Sequence, residues 1–229
     1  MSLPIRGISS MATRALLAEL AAAYHAHAGV EVAIESVGGV DAARRVAAGE
    51  PFDVVVLAAD AIDGLTAGGH VLAGSRRGVV RSDVAVAVRA GAPHPDIGSA
   101  DALQRALLAA RTIGHSTGPS GTALLQLFER WGVAEALRAR VVQAPPGVPV
   151  GSLVARGEVE IGFQQRSELM HLEGVDVLGG MPPGTEIVTV FAGAVGAASA
   201  QPGAARALLD FLASPATAEA KRRHGMEPA

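Results

Sequence analysis

The chain has 229 residues, enough for one large domain or two lobes of about 100 residues each. Its formal charge of −3, from 19 basic and 22 acidic residues with no basic run beyond short pairs and one triplet, excludes a nucleic-acid footprint. The absence of cysteine excludes disulfides, thiolate metal sites and cysteine nucleophiles, and no apolar run reaches the ~18 residues of a membrane span. Hydrophobic residues make up 49% and aromatic ones only 3%, so the cores must be layers of small aliphatic side chains.

Taken in order, a short strand is expected over Ile5 to Ser9, leading into a helix from about Ser10 to Ala28. Its apolar positions Met11, Leu16, Leu17, Leu20 and Tyr24 recur at helical spacing. Gly29 ends that helix, Val30 to Ser36 reads as a strand, and Asp41 to Ala48 reads as a short helix closed by Gly49. The run Phe52 to Ala58 is apolar without alternation, the mark of a strand buried on both faces of a parallel sheet. A helix over Ala59 to Ala67 follows, giving strand–helix alternation with right-handed crossovers.

Beyond a change near Ser75 to Gly78, a strand over Val84 to Val88 precedes a helix over Ala100 to Ala110, capped by Ser99. Strands are expected at Thr112 to Ser116, Arg140 to Ala144, Glu160 to Gln164 and Val175 to Leu178. Helices fall between them at Ser120 to Trp131 and Val150 to Arg156, and Arg166 and Glu168 read as the start of a solvated helix. Glu186 to Ala197 is a long strand or strand pair, and helices over Gln201 to Ala213 and Ser214 to Arg223 close the chain. No internal sequence repeat or low-complexity tract appears.

Three of these strands enter helices through Ser, Thr or Gly: Ile8 to Thr13, Ser36 to Asp41 and His115 to Thr122. A helix start leaves backbone N–H groups without internal partners and favours negative charge. Three such starts, all rich in hydroxyls or lacking side chains, suggest helix ends converging on a small anion. Ser9, Ser10, Gly38, Gly39, Thr117, Ser120 and Gly121 are therefore candidate ligand contacts. Each also has a bland reading as an N-cap or a tight turn. Arg14, one turn into the first helix, reads either as a solvated surface group or as a bidentate partner for a carboxylate.

In order and spacing, a further set of motifs resembles the bacterial solute-binding proteins of ABC transporters, in the branch that includes molybdate-binding proteins. These motifs are the Ser-Ser helix start at Ile8 to Met11, Ser36-Val37-Gly38-Gly39, Gly49 to Val54 leading to Ala58-Ala59-Asp60, and Ala73 to Arg76. Arg156 to Gly162 and the closing Ala207 to Pro215 complete the set. The resemblance implies an α/β fold of the periplasmic-binding-protein type 2 kind: two Rossmann-like lobes joined by two crossings, with ligand in the cleft. Lobe I would hold residues 1–79 and 191–229, and lobe II the inserted residues 80–190. It also implies ligand contacts at Ala58, Val148 and the Gln164-Gln165 pair, where adjacent strand residues point opposite ways and Gln165 is favoured to face the cleft.

Molybdate binders of this branch carry two serines where this chain has Val37-Gly38-Gly39, and a Tyr near Gln164-Gln165. An amide both donates and accepts, so these departures favour a small carboxylate over a tetrahedral oxyanion. The first functional reading is reversible capture of a small anion for an ABC permease, requiring no catalytic residue, metal, cofactor, nucleic acid or membrane insertion. None of the histidines pairs with a carboxylate at metal-ligand spacing, and Gly118-Pro119-Ser120-Gly121 is not a nucleophile elbow. The alternative is an isomerase of a small unsaturated carboxylate or conjugated ketone on the same scaffold, with His115, Glu35 or Asp60 as the base. The opening residues lack the pattern of a signal peptide, so the expected location is periplasmic if one has been removed and cytoplasmic otherwise.

Overall fold

The computed structural model describes residues 3–229. Its first strand, β1 (Ile5–Ser10), lies parallel between β2 (Val32–Val37) and β3 (Val54–Ala58). The connecting helices are α1 (Arg14–Ala28), α2 (Gly39–Ala47) and α3 (Ala59–Ala67). Next come β4 (Arg77–Arg89), α4 (Ala100–Ala109), β5 (Ile113–His115), α5 (Pro119–Arg130), α6 (Ala134–Leu137) and β6 (Val141–Gln143). Then follow α7 (Val150–Ala155), β7 (Ile161–Gln165), α8 (Arg166–Leu169), β8 (Val175–Gly180) and β9 (Val188–Val195). The chain closes with α9 (Pro202–Ala213), α10 (Ala218–Arg223) and β10 (Met226–Pro228).

These elements divide into two units, Met1–Ser82 with Thr189–Ala229, and Asp83–Val188. In the first unit the strand order is β2-β1-β3-β9, with β9 antiparallel to β3 and β10 antiparallel to the start of β4. The unalternating β3 is buried on both faces, as its sequence requires. Val54 and Val56 pack with Leu16, Leu17, Leu208 and Leu209, while Val55 and Leu57 pack with Val46, Ile62 and Leu65. Each fully buried aliphatic side chain of this kind contributes about 1.5–3 kcal/mol.

The second unit repeats the same wiring without any repeat in sequence. Its strand β5 lies parallel between β6 and β7, and β4 runs antiparallel to β7 with β8 also on β4. Val84, Val86, Ile161 and Phe163 face Leu103, Leu124 and Phe128. On the other face, α7 sits close because β5 and β7 present glycines to it. A Cβ on Gly114 would lie 2.9 Å from Val150, and one on Gly162 would lie 2.4 Å from Val154.

Several elements depart from the expected bounds. The first helix opens with a separate 3-10 turn over Met11–Thr13, because the Thr13 hydroxyl bonds back to the Ser10 carbonyl at 3.0 Å. Strand β4 extends seven residues upstream of Val84, and α6 and β10 have no counterpart in the sequence reading. Within residues 186–197 there is a single strand, β9 (Val188–Val195), rather than a pair. Ser99 caps α4 as expected, its Oγ accepting from the Ala102 N–H at 3.2 Å.

Candidate functional site

Both units place helix starts at the carboxyl ends of their parallel strands, beside the strand where the chain reverses its direction of winding. This is where open α/β sheets bind ligands. In the first unit Ser9 is in register with Ser36 on β2 and Val56 on β3. The Ser9 and Ser36 hydroxyls hydrogen-bond each other at 2.8 Å, an arrangement that uses both side chains to hold the strand ends together. Ser9 is fully buried and Ser10 half-buried, and Ser10 makes no cap bond with its side chain. Of the two, Ser10 is the hydroxyl that remains available.

Gly38 is the N-cap of α2, with φ −56° and ψ 133°, and a Cβ there would meet nothing within 4 Å. Its glycine is thus not required by backbone strain or packing in this unit. A Cβ on Gly39 would lie 3.7 Å from the Ser10 hydroxyl, so the first two helix starts are neighbours. The third is Ala58, buried, which caps α3 with nearly the same backbone angles as Gly38. Arg14 is exposed and lines a groove of about 550 Å³ along α1 and β2, together with Leu17, Ala21, His25, Ile34 and Ser36.

Of the candidate bases in this unit, Asp60 is exposed and accepts from the Ala61 N–H at 2.9 Å. Glu35 is committed to Arg45, which reaches it with bonds of 2.7 and 3.0 Å. That bonding keeps the Glu35 carboxyl below its ordinary range, which leaves it a weak base.

In the second unit the α5 start is built by Ser116, Gly118, Ser120 and Gly121. The Ser116 and Ser120 hydroxyls lie 3.1 Å apart, and Thr117 is exposed beside them. Gly121 is required: a Cβ would stand 2.0 Å from the Ser116 carbonyl oxygen and 2.8 Å from His115 Nδ1. His115 is buried under this turn and its Nδ1 donates to the Ser116 carbonyl at 2.9 Å. Burial pushes its pKa below the ordinary imidazole value, more than the carbonyl raises it, so the ring is neutral at pH 7. Val148 is half-buried in the β6–α7 loop, its N–H bonded to the Pro145 carbonyl at 3.0 Å.

Both glutamines at the end of β7 are buried. Gln164 Oε1 accepts from the Gly151 N–H at 2.9 Å, and its Nε2 donates to Glu168 Oε1 at 2.8 Å. Gln165 ends the strand and caps α8. Glu168 is not the solvated residue that the sequence suggests. It is half-buried, and desolvation pushes its carboxyl up to about 7, against the smaller lowering effect of the Gln164 bond. Sequence reasoning missed it because only the fold carries α8 back over the β7 end. The one local signal is the Gln-x-x-x-Glu spacing from Gln164 to Glu168, which suits an i, i+4 contact. Among the described residues no group of three or more metal-ligating side chains occurs, and no helix is long and apolar enough to cross a membrane.

An α/β chain of two like-wired units with hydroxyl- and glycine-rich helix starts has the architecture of a solute-binding protein. The chain belongs to the bacterial extracellular solute-binding protein family, whose model matches residues 5–227. It is 39% identical over 227 residues to a Pseudomonas protein named aconitate isomerase, covering 96% of this chain and 86% of that one. Its fold is also that of the periplasmic molybdate-binding protein of Azotobacter vinelandii, with a TM-score of 0.80 at 20% identity, covering 97% of this chain and 98% of that one. The sulfate-binding protein of Mycobacterium tuberculosis is similar, with a TM-score of 0.81 at 20% identity, covering 100% of this chain and 88% of that one.

Proposed function

We propose that this protein binds a small unsaturated polycarboxylate of the aconitate type and interconverts its double-bond isomers, acting outside the cytoplasm. The observation that carries this reading is the 39% identity, along nearly the whole chain, to a relative named for that activity. The site chemistry supports it. Neutral donors at helix starts suit carboxylates, and the Gly38-Gly39 turn and the Gln164-Gln165 amides replace features that suit a tetrahedral oxyanion. The reading takes Ser10, Gly38 and Gly39 in the first unit, and Ser120, Gly121 and Gln165 in the second, as contacts for ligand carboxylates.

The reaction needs one base and fixed donors. A proton leaves the methylene carbon next to the alkene, and its electron pair spreads into the conjugated carboxylate as a dienolate. Reprotonation at the other end of the three-carbon unit returns the alkene in the other geometry. Electrons are conserved, and helix-start N–H groups stabilise the developing oxyanion.

A second reading, capture of the same acid for an ABC permease, is favoured by the family itself. Incubation with cis-aconitate in D2O, followed by proton NMR, separates the two. Isomerisation gives trans-aconitate with solvent deuterium in its methylene group. Binding without conversion shows only as thermal stabilisation, about 2.7 kcal/mol at a hundredfold excess over Kd. If cis- and trans-aconitate neither convert nor stabilise the protein, both readings fail.

A further inference from the structure

We propose that Glu168 is the acid–base group of this site, aimed and kept in reserve by Gln164. The assignment rests on the isomerase reading above. In the second unit Gly114 of β5 is in register with Gly162 of β7. Ser116 follows the last residue of β5 and Gln164 is the penultimate residue of β7, so both stand at the carboxyl ends of adjacent parallel strands. Ser116 leads into α5 and Gln164 holds Glu168, so the carboxyl stands at the same end of the sheet as the helix start assigned to the ligand.

The local bonding is that of a positioned carboxylate rather than a packing residue. Gln164 is fixed through its Oε1 by the Gly151 N–H, and its Nε2 fixes Glu168 Oε1. Among the described residues the other carboxylate oxygen, Oε2, has no hydrogen-bond partner, leaving one basic oxygen for a substrate proton. His115, the other buried titratable group of this unit's strand ends, is covered by Gly121 and bonded to Ser116.

No ion pair offsets the burial. On β8, Asp176 bonds the Gly91 N–H and His94, and on α8 itself Arg166 lies against Gly180. The α7 residues facing Gln164 are Gly151 and its uncharged neighbours, and Arg156 at the end of α7 bonds Glu158. A carboxyl shifted to about 7 can be ionised before the first step and protonated after it, near neutral pH. In that step Glu168 Oε2 takes the methylene proton, the electron pair moves into the dienolate, and the same proton or one exchanged with water returns to the far carbon.

The test uses the whole protein and cis-aconitate in D2O. Wild type should isomerise and exchange deuterium, with kcat/KM rising through a limb near pH 7. Glu168→Gln keeps the Gln164 contact, so it should fold and bind with KM changed less than threefold, while kcat and deuterium exchange fall at least about 100-fold. Gln164→Leu removes a bond that favours the ionised form, so its pH limb should move up. Retained exchange in Glu168→Gln overturns the assignment and leaves the isomerase reading standing. A limb that does not move in a folded Gln164→Leu also overturns it. If wild type neither converts cis-aconitate nor exchanges deuterium, both the assignment and the isomerase reading are overturned.

Discussion

Gly121 gives the sharpest test of how the α5 start is built. In Gly121→Ala the added Cβ would sit 2.0 Å from the Ser116 carbonyl oxygen, where ordinary contact begins at 3.4 Å. The oxygen belongs to the backbone, so the turn must open by roughly the difference, 3.4 − 2.0 = 1.4 Å. Overpacking of this kind costs about 1–3 kcal/mol. Opening the turn also gives up the bond from the Gly121 N–H to the Gly118 carbonyl, 3.0 Å long and worth about 1 kcal/mol. The lost flexibility of the unfolded chain returns about 0.4–1 kcal/mol. The net loss is about 1–3.6 kcal/mol, or roughly 2–14 °C in Tm for a chain of this size. Gly118→Ala is the control: its φ of −83° suits any residue and the nearest atom to its Cβ is Ser116 Oγ at 3.8 Å. Its Tm should stay within 2 °C of wild type, as for a substitution costing under about 0.5 kcal/mol. Differential scanning calorimetry measures both. Equal Tm values for the two variants would refute the reasoning, since they differ chiefly in this one contact.

Gly38→Ala separates ligand contact from turn geometry. Open space around its Cβ predicts unchanged or slightly higher stability, so a tenfold or greater loss of affinity for aconitate by calorimetric titration would mark close backbone approach. Asp53 Oδ1 and Oδ2 accept from Ser199 at 2.6 Å, the Arg6 N–H at 2.9 Å and Gln201 at 3.0 Å. Burial raises its pKa, but these three donors together outweigh burial and hold it below the ordinary value. Asp53→Ala should cost about 3 kcal/mol in urea unfolding, and the wild-type contribution should vanish as pH falls through the lowered value. Glu168 acts with the opposite sign. Its folded pKa is raised, so its share of stability is complete below pH 4.5 and lost as pH rises through about 7, at most about 3 kcal/mol. Urea midpoints of Glu168→Gln should therefore gain on wild type above pH 7 and not below 4.5. Lys221, the only lysine, is buried, and burial lowers its pKa. Lys221→Met should raise Tm at pH 7, and that gain should shrink as pH climbs toward 10.5, where the lysine loses its charge in the unfolded chain as well.

Local pattern was enough to read the strand–helix alternation of this chain, because burial leaves direct marks on a sequence. Val54 to Leu57 show no alternation because α1, α9, α2 and α3 cover both faces of β3, and the glycines that close α1 and α2 stand where positive φ requires them. The helix starts at Ser10, Gly38 and Gly118 were likewise legible, since hydroxyl and glycine content at a strand end is a local property. Register was not. Nothing in Ile8 to Ser36 announces that Ser9 would spend its hydroxyl on Ser36 and leave Ser10 available, because a cross-strand bond depends on which residues the sheet aligns. The short β10 is too brief and polar to carry a period, and exists through pairing with β4. Glu168 shows the difference most plainly. A glutamate after a strand reads as solvated on composition alone, and its near-neutral pKa arises only when the fold removes water from it, against the smaller lowering effect of the Gln164 bond. Burial of a polar group is a property of its neighbours in space, and the chain order does not contain them.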